Sequence, residues 1–145
     1  MTAREDEGGN EAGNFGVLVV AHGELPGTLL KVVEKILGAA LEAEAVSVGW
    51  DDEVGTIRRK IEEAVKKANR GRGVLILTDM FGGTPSNIAL SFHDPGKVDV
   101  VTGVNLPMII KIASQKEGET LASLARIVRD QGRSSIAMAS DFLTA

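Results

Sequence analysis

The sequence predicts an α/β fold with a doubly wound, mainly parallel sheet and helices on both of its faces. Strand-like and helix-like segments alternate through most of the 145 residues, and this alternation is typical of parallel sheets with right-handed crossovers. Residues 17–20 (VLVV) and 74–77 (VLIL) are apolar without polar alternation, which indicates central strands covered on both faces. With these two strands inside, the expected strand order is 2-1-3-4.

The elements of the first half follow from apolar periodicity and from helix-start residues. After the first strand, a helix is expected from Pro26 to Leu41, with Gly38 as its weakest position. Residues 45–50 alternate in polarity, as a strand nearer the sheet edge does. A second helix is expected between residues 51 and 69, and its apolar face consists of Ile57, Ile61, Ala64, Val65 and Ala68.

Beyond the third strand, residues 80–87 (MFGGTPSN) combine a glycine loop with a helix start. Thr84 is the predicted N-cap and Pro85 the predicted first helical residue of a short helix that ends near Phe92.

The last third of the chain contains a fourth strand at residues 98–102, two helices and a final strand. The helices are expected at residues 106–114 and 120–130, separated near Gly118, and the final strand at residues 134–140.

Composition and charge exclude several functional classes. The chain has 16 basic and 20 acidic residues and a formal net charge of −4, so it offers no basic stripe for nucleic acid. It contains no cysteine, which excludes disulfides and thiolate nucleophiles and suits a cytoplasmic protein. Residues 1–14 are expected to form a disordered acidic tail, and residues 15–145 a single domain without a membrane span.

Two side chains with complementary chemistry follow the two central strands. His22 ends the first strand and Asp79 follows the third, and the carboxyl ends of these strands border the crevice where ligands bind in such sheets. A neutral imidazole is a nucleophile for a phosphoryl group, and a carboxylate fixes its tautomer and steadies the positive charge that develops on the ring. His22 and Asp79 therefore have the groups that a phosphoryl acceptor and its orienting partner need, although each residue alone is more often structural.

The glycine loop is expected to bind the phosphate oxygens. The backbone N–H groups of Gly82, Gly83 and Thr84 and the Thr84 hydroxyl are neutral donors, and neither loop contains Lys or Arg. This combination favours reversible passage of a phosphoryl group, without a metal or another cofactor. His93, the other histidine, precedes a turn and is interpreted as structural.

Three motifs together resemble one protein family: residues 19–23 (VVAHG), 77–87 (LTDMFGGTPSN) and 103–108 (GVNLPM). In order and spacing they are similar to the IIA component of the mannose-type bacterial phosphotransferase system, from about Phe15 to the C-terminus. The resemblance implies that His22 accepts a phosphoryl group from the phosphocarrier protein HPr and passes it to a IIB component. We expect that IIB component to be a separate protein.

The resemblance also implies roles for the residues around the histidine. Asp79 matches the carboxylate that hydrogen-bonds the histidine, and Thr84 matches the hydroxyl residue near the phosphate. Phe81 stands where many members carry Trp, which keeps an aromatic wall. The expected partner-facing rim of the site comprises Gly23, Phe81, Pro85, Asn105 and Pro107.

A homodimer is a further implication of the resemblance. In such a dimer, residues 134–140 would be exchanged between subunits as an antiparallel strand, which would cover an otherwise exposed sheet edge.

A regulatory module of the same fold is the alternative function. A partner would read its phosphorylation state, without sugar transport, and the same His22 chemistry would serve both roles. A response-regulator receiver domain is less favoured, because it needs an acidic pair after the first strand, where this chain has Ala21 and His22.

Overall fold

The centre of the molecule is a sheet of four parallel strands in the order β2-β1-β3-β4. The computed structural model describes residues 14–114 and 119–143. The strands are β1 (Gly16–His22), β2 (Glu44–Val48), β3 (Val74–Thr78) and β4 (Val98–Thr102). The two strands without polar alternation lie inside the sheet, so the predicted order 2-1-3-4 is confirmed.

Helices cover both faces of the sheet, which confirms the doubly wound arrangement. They are α1 (Leu25–Leu37), α2 (Val54–Ala68), α3 (Thr84–Leu90), α4 (Leu106–Ala113), α5 (Leu121–Ser134) and α6 (Ala139–Phe142). One apolar core joins Leu18 and Val20 to α2 and α3, and the other joins Val19 to α1, α4 and α5. No helix in the described part of the chain is long and apolar enough to cross a membrane.

The helices that follow the two central strands leave the sheet on opposite faces. α1 contributes to the core on the Val19 side, and α3 contributes to the core on the Leu18 side. Val20 of β1 is paired with Thr78 of β3, so these two strands end at nearly the same level. Their carboxyl ends therefore border the crevice expected at a reversal of strand order.

The first helix and the second strand are both shorter than predicted. α1 ends at Leu37 and not at Leu41, because Gly38 adopts a left-handed φ of 71° and donates its N–H to the carbonyl of Glu34. Glycine enters this conformation without the cost that a Cβ imposes, so it closes the helix. β2 ends at Val48, so Trp50 lies beyond the strand to which the sequence assigned it.

The prediction of a strand at residues 134–140 is wrong for the single chain. α5 continues to Ser134, and Ala139–Phe142 forms α6. The last turns of α5 are held by close packing, since a Cβ at Gly132 would lie 2.6 Å from the sulfur of Met108. The N–H of Ser135 still donates to the carbonyl of Gln131, so the helical hydrogen bonds continue beyond the residues where the apolar periodicity is clear.

Two sequence expectations fall outside the described residues. The separation of the last two long helices near Gly118 is one, and the tail at residues 1–14, apart from Asn14, is the other.

Candidate functional site

His22 and Asp79 meet at the carboxyl ends of β1 and β3. The Nδ1 atom of His22 lies 2.7 Å from Oδ2 of Asp79, and the backbone N–H of His22 donates to the same oxygen at 3.0 Å. An ionised carboxylate only accepts hydrogen bonds, so the ring contact places a proton on Nδ1. The lone pair of a neutral ring is then on Nε2, the nitrogen that faces away from Asp79.

The surroundings of Asp79 favour its ionised form. Burial acts to raise the pKa of Asp79, but hydrogen bonds from the backbone N–H and the ring of His22, the charge of that ring and the Met80 N–H together hold the pKa below its ordinary value. The side chain of Asp79 is 13% exposed and that of His22 is 26% exposed. The pair is therefore sheltered, with the histidine nearer to solvent.

The glycine loop passes beside the imidazole. A Cβ built on Gly83 would lie 3.7 Å from Cε1 of His22, so the loop backbone lies against the ring. Gly82 has a φ of 90°, a conformation that side chains disfavour. Glycine at this position therefore lets the loop backbone turn beside the histidine without the strain that a side chain would bring.

Thr84 is the first residue of α3 and not its N-cap, as the sequence predicted. The N-cap is Gly83, in an extended conformation, and Pro85 lies in the first turn. The helix therefore begins one residue earlier than the sequence predicted, with Gly83 as its cap and Thr84 inside its first turn. Thr84 is exposed at the mouth of the loop, which leaves its hydroxyl accessible.

Three of the rim residues predicted from sequence belong to the turn after His22 or to the glycine loop and its helix: Gly23, Phe81 and Pro85. Gly23, with a φ of 59°, donates its N–H to the carbonyl of Val48 and fixes the turn after His22. Phe81 is 75% exposed and borders the glycine loop, where Pro85 is buried in α3.

Asn105 and Pro107 belong to the start of α4. Asn105 is the N-cap of that helix: its Oδ1 accepts from the Met108 N–H and its Nδ2 donates to the carbonyl of Gly132. Both of these hydrogen bonds tie α4 to itself and to α5. Asn105 therefore supports the fold in these contacts, and Pro107 lies in the first helical turn.

A tryptophan that sequence reasoning missed stacks on the histidine. The rings of Trp50 and His22 have centroids 5.1 Å apart and an interplanar angle of 21°. Trp50 lies just after β2, which is the neighbour of β1 on the side opposite to β3. The parallel order places the end of β2 at the same sheet edge as His22, so the single tryptophan of the chain was the signal that could have found this contact.

His93 lies elsewhere, next to β4. Its Nε2 is 3.9 Å from Oδ1 of Asp99, and its side chain is 52% exposed. The two histidines of the chain therefore occupy different surroundings.

A groove runs along the outer edge of β4, away from the histidine. It has a volume of about 510 Å³ and is lined by β4, the start of α4 and the outward side of α5. Ile136, which is 78% exposed, lies at its border. An open surface therefore lies beside the outer edge of β4.

Comparison with known proteins assigns this arrangement to a family. Residues 16–128 match the family model described as the IIA component of the fructose phosphotransferase system. The chain belongs to the mannose-type IIA components of the phosphotransferase system. Its role accordingly lies in sugar phosphotransfer.

Individual relatives support this family assignment. The chain is 30% identical over 128 residues to the fructose-specific EIIA component of the phosphotransferase system of Bacillus subtilis, and the match covers 88% of each protein. It is 29% identical over 127 residues to the mannose-specific EIIAB component of Escherichia coli. That match covers 83% of this IIA chain but 38% of the E. coli protein.

Solved structures show the same architecture. The mannose/sorbose-specific IIA subunit of Enterococcus faecalis superimposes with a TM-score of 0.77 at 28% identity, covering 86% of this chain and 94% of that one. The phosphotransferase component EIIA of Streptococcus agalactiae has a TM-score of 0.77 at 24% identity, covering 88% and 98% of the two chains, and this likeness concerns the fold alone.

Proposed function

We propose that the protein is a phosphocarrier that accepts a phosphoryl group from phosphorylated HPr on Nε2 of His22 and passes it to a separate IIB component. The observation that carries this proposal is the 2.7 Å contact between Nδ1 of His22 and Oδ2 of Asp79. It fixes the ring and leaves the opposite nitrogen to act as the nucleophile.

The transfer step needs no group beyond those of the two proteins. The Nε2 lone pair forms a bond to phosphorus while the phosphorus–nitrogen bond of the donor breaks, and the electron pair of that bond returns to the donor imidazole. The proton on Nδ1 stays in the hydrogen bond to Asp79. The carboxylate then balances the positive charge of the phosphorylated ring, and the same steps in reverse deliver the group to IIB.

The glycine loop supplies donors for the phosphate oxygens in this proposal. Gly83 lies against the ring of His22, and the exposed hydroxyl of Thr84 follows it in the chain. Backbone N–H groups and a hydroxyl are neutral donors, so they stabilise the phosphoryl group without holding it as strongly as a cation would. Such moderate binding suits a carrier that must release the group again.

A homodimer is part of the proposal, with the groove along β4 as its interface. β4 is the last strand of the sheet, and an open strand edge favours pairing with another chain. The segment that follows α5 carries exposed apolar side chains: Ile136, Met138, Phe142 and Leu143. In a dimer this segment would leave the position that it has in the single chain and lie on the partner subunit.

The proposed unit is a single IIA domain from residue 15 onward that works in the cytoplasm, with HPr as donor. Phe81, 75% exposed beside the glycine loop, is its proposed contact to the donor and acceptor proteins, together with the partly exposed Gly23.

A two-step transfer experiment tests the proposed function. The purified protein is incubated with phosphoenolpyruvate, enzyme I and HPr, and a purified mannose-type IIB protein is then added. We expect a phosphoryl adduct that is lost in acid and survives alkali, as a phosphohistidine does, and that moves to IIB. An adduct that alkali also removes would instead indicate an acyl phosphate on a carboxylate. A stable phosphohistidine that never moves to IIB would favour a regulatory module.

A further inference from the structure

We propose that Trp50 positions His22 for phosphoryl transfer by stacking on one face of the imidazole. Its role in catalysis rests on the proposed function, whereas the stacked arrangement itself is a property of the free protein. Trp50 acts through the histidine and is therefore a positioning residue.

The two rings have the geometry of an attractive aromatic pair. Their centroid separation of 5.1 Å and interplanar angle of 21° lie in the range of offset stacking. The indole is 80% exposed, so most of its surface faces solvent and little of the fold accounts for its position. Contact with His22 is the specific interaction that the structure gives this side chain.

With Trp50 in place, the imidazole is held from three directions. Asp79 binds Nδ1, the indole covers one face, and the backbone of Gly83 lies near Cε1. A ring held in this way cannot turn about its side-chain bonds without losing the stack. The nucleophilic nitrogen therefore keeps one direction of approach, which lowers the entropic cost of reaching the reactive geometry.

The turn that carries Trp50 is itself braced. The Gly49 N–H donates to Oδ2 of Asp52 at 2.7 Å, and the ammonium of Lys60 in α2 donates to the same oxygen at 3.1 Å and to the carbonyl of Ser47 at 3.2 Å. The Gly49 N–H and Lys60 hold the pKa of Asp52 below its usual value. This carboxylate therefore stays charged and keeps the turn closed.

The same turn is tight at the residue before the tryptophan. A Cβ on Gly49 would lie 3.0 Å from Oδ1 of Asp52 and 3.1 Å from its Cγ, which is closer than side chains ordinarily approach. The braced backbone therefore places Trp50 near the carboxyl end of β1, and the stack on His22 orients the indole.

The indole also suits the charge that the reaction creates. A ring that receives a phosphoryl group on Nε2 while keeping its proton on Nδ1 becomes positively charged, and the face of an indole attracts cations. Trp50 thus stabilises the charged ring more than the neutral one, and it does so from a face of the ring, whereas Asp79 binds the ring edge at Nδ1.

Proton NMR tests the stack without any partner protein. The chain has two histidines, so two sets of imidazole C–H signals are expected, and His22→Gln assigns them. We expect the His22 signals of the wild type to be shifted upfield by the indole ring current and to return towards ordinary positions in Trp50→Ala. The His93 signals serve as the internal reference. Unshifted His22 signals in the wild type would overturn the proposal.

Phosphorylation kinetics test the positioning role. We expect Trp50→Ala to lower kcat for phosphoryl acceptance from HPr by about three- to tenfold with little change in KM, and Trp50→Phe to restore most of the rate because a phenyl ring also stacks. Ile36→Ala, a change at a 58% exposed apolar residue of α1, is the matched control with the wild-type rate. An increase in KM alone would make Trp50 a docking contact and refute the positioning role.

The two measurements separate this proposal from the proposed function. If the wild type takes no phosphoryl group from HPr, the phosphocarrier function fails and the positioning role fails with it, whatever the NMR result. If the wild type is phosphorylated but Trp50→Ala has an unchanged kcat, the phosphocarrier function stands and only the role of Trp50 is refuted.

Discussion

His22 donates two hydrogen bonds to a single oxygen of Asp79, one from its ring and one from its backbone. The backbone bond fixes where the carboxylate lies relative to the end of β1, and the ring bond fixes how the imidazole turns. One oxygen thus couples the position of the main chain to the orientation of the imidazole. In the proposed mechanism this coupling gives the phosphoryl group a defined nitrogen to bind.

Replacing Asp79 with Asn tests this coupling. We expect Asp79→Asn to fold and to accept the phosphoryl group about 10- to 100-fold more slowly, because the charge that orients the ring and balances the phosphorylated imidazole is lost. The measurement is the initial rate of phosphorylation by HPr. Asp130→Asn, at an exposed position of α5, controls for the loss of one negative charge, and equal rates for both variants would remove Asp79 from the mechanism.

The pH dependence of stability provides a second test of Asp79. Its pKa is held below the ordinary value in the folded protein, whereas an Asp of the unfolded chain titrates at about 3.9. The stabilisation from Asp79 is therefore fully present above about pH 4 and is lost as the pH falls through the folded pKa.

Thermal unfolding at a series of pH values measures this effect. The difference in unfolding free energy between the wild type and Asp79→Asn should change below about pH 4, where the wild type loses the advantage that its ionised Asp79 gives. A difference that is independent of pH would show that the ionisation of Asp79 is not coupled to folding.

The two glycines of the loop should respond differently to alanine. Gly82→Ala should cost about 1–2 kcal/mol of stability, because the φ of 90° at this position disfavours a Cβ. Gly83→Ala should keep its stability, since its Cβ would meet neighbours at 3.5 Å or more, but should slow phosphorylation, because the added methyl group would lie next to Cε1 of His22, the carbon that adjoins the proposed acceptor Nε2. Chemical denaturation and phosphorylation rates measure the two effects, and a fully active Gly83→Ala would argue against phosphate binding at this loop.

The fold was largely predictable because its central strands carry an unambiguous pattern. The uniformly apolar segments that became β1 and β3 could only be buried on both faces, and the strand order followed from them. The meeting of His22 and Asp79 was predictable for the same reason, since adjacent parallel strands end at one edge of the sheet.

The features that sequence reasoning missed depend on local backbone conformation or on distant contacts. The end of α1 is set by the left-handed Gly38, and α5 continues to Ser134, with Ser135 as a C-cap whose N–H donates to the carbonyl of Gln131. Predicting the stack of Trp50 on His22 would have required knowing that β2 ends before Gly49. The alternating polarity of residues 45–50 does not indicate that end.

The proposed dimer gives a prediction about the C-terminal segment. We expect the wild type to be a dimer by light scattering and a variant without residues 136–145 to be a monomer, because the apolar segment after α5 would cover the edge of β4 in the partner subunit. Removal of residues 1–13 is the matched control and should leave a dimer. A shortened variant that still forms dimers would place the interface elsewhere.

The measurement that tests the phosphocarrier function most directly is the intact mass of the protein after incubation with phosphoenolpyruvate, enzyme I and HPr. The wild type is compared with His22→Gln and His93→Gln, which together remove each of the two histidines of the chain in turn. We predict one phosphoryl group on the wild type and on His93→Gln, and none on His22→Gln. An adduct on His22→Gln, or its loss in His93→Gln alone, would contradict the assignment of His22 as the phosphoryl acceptor.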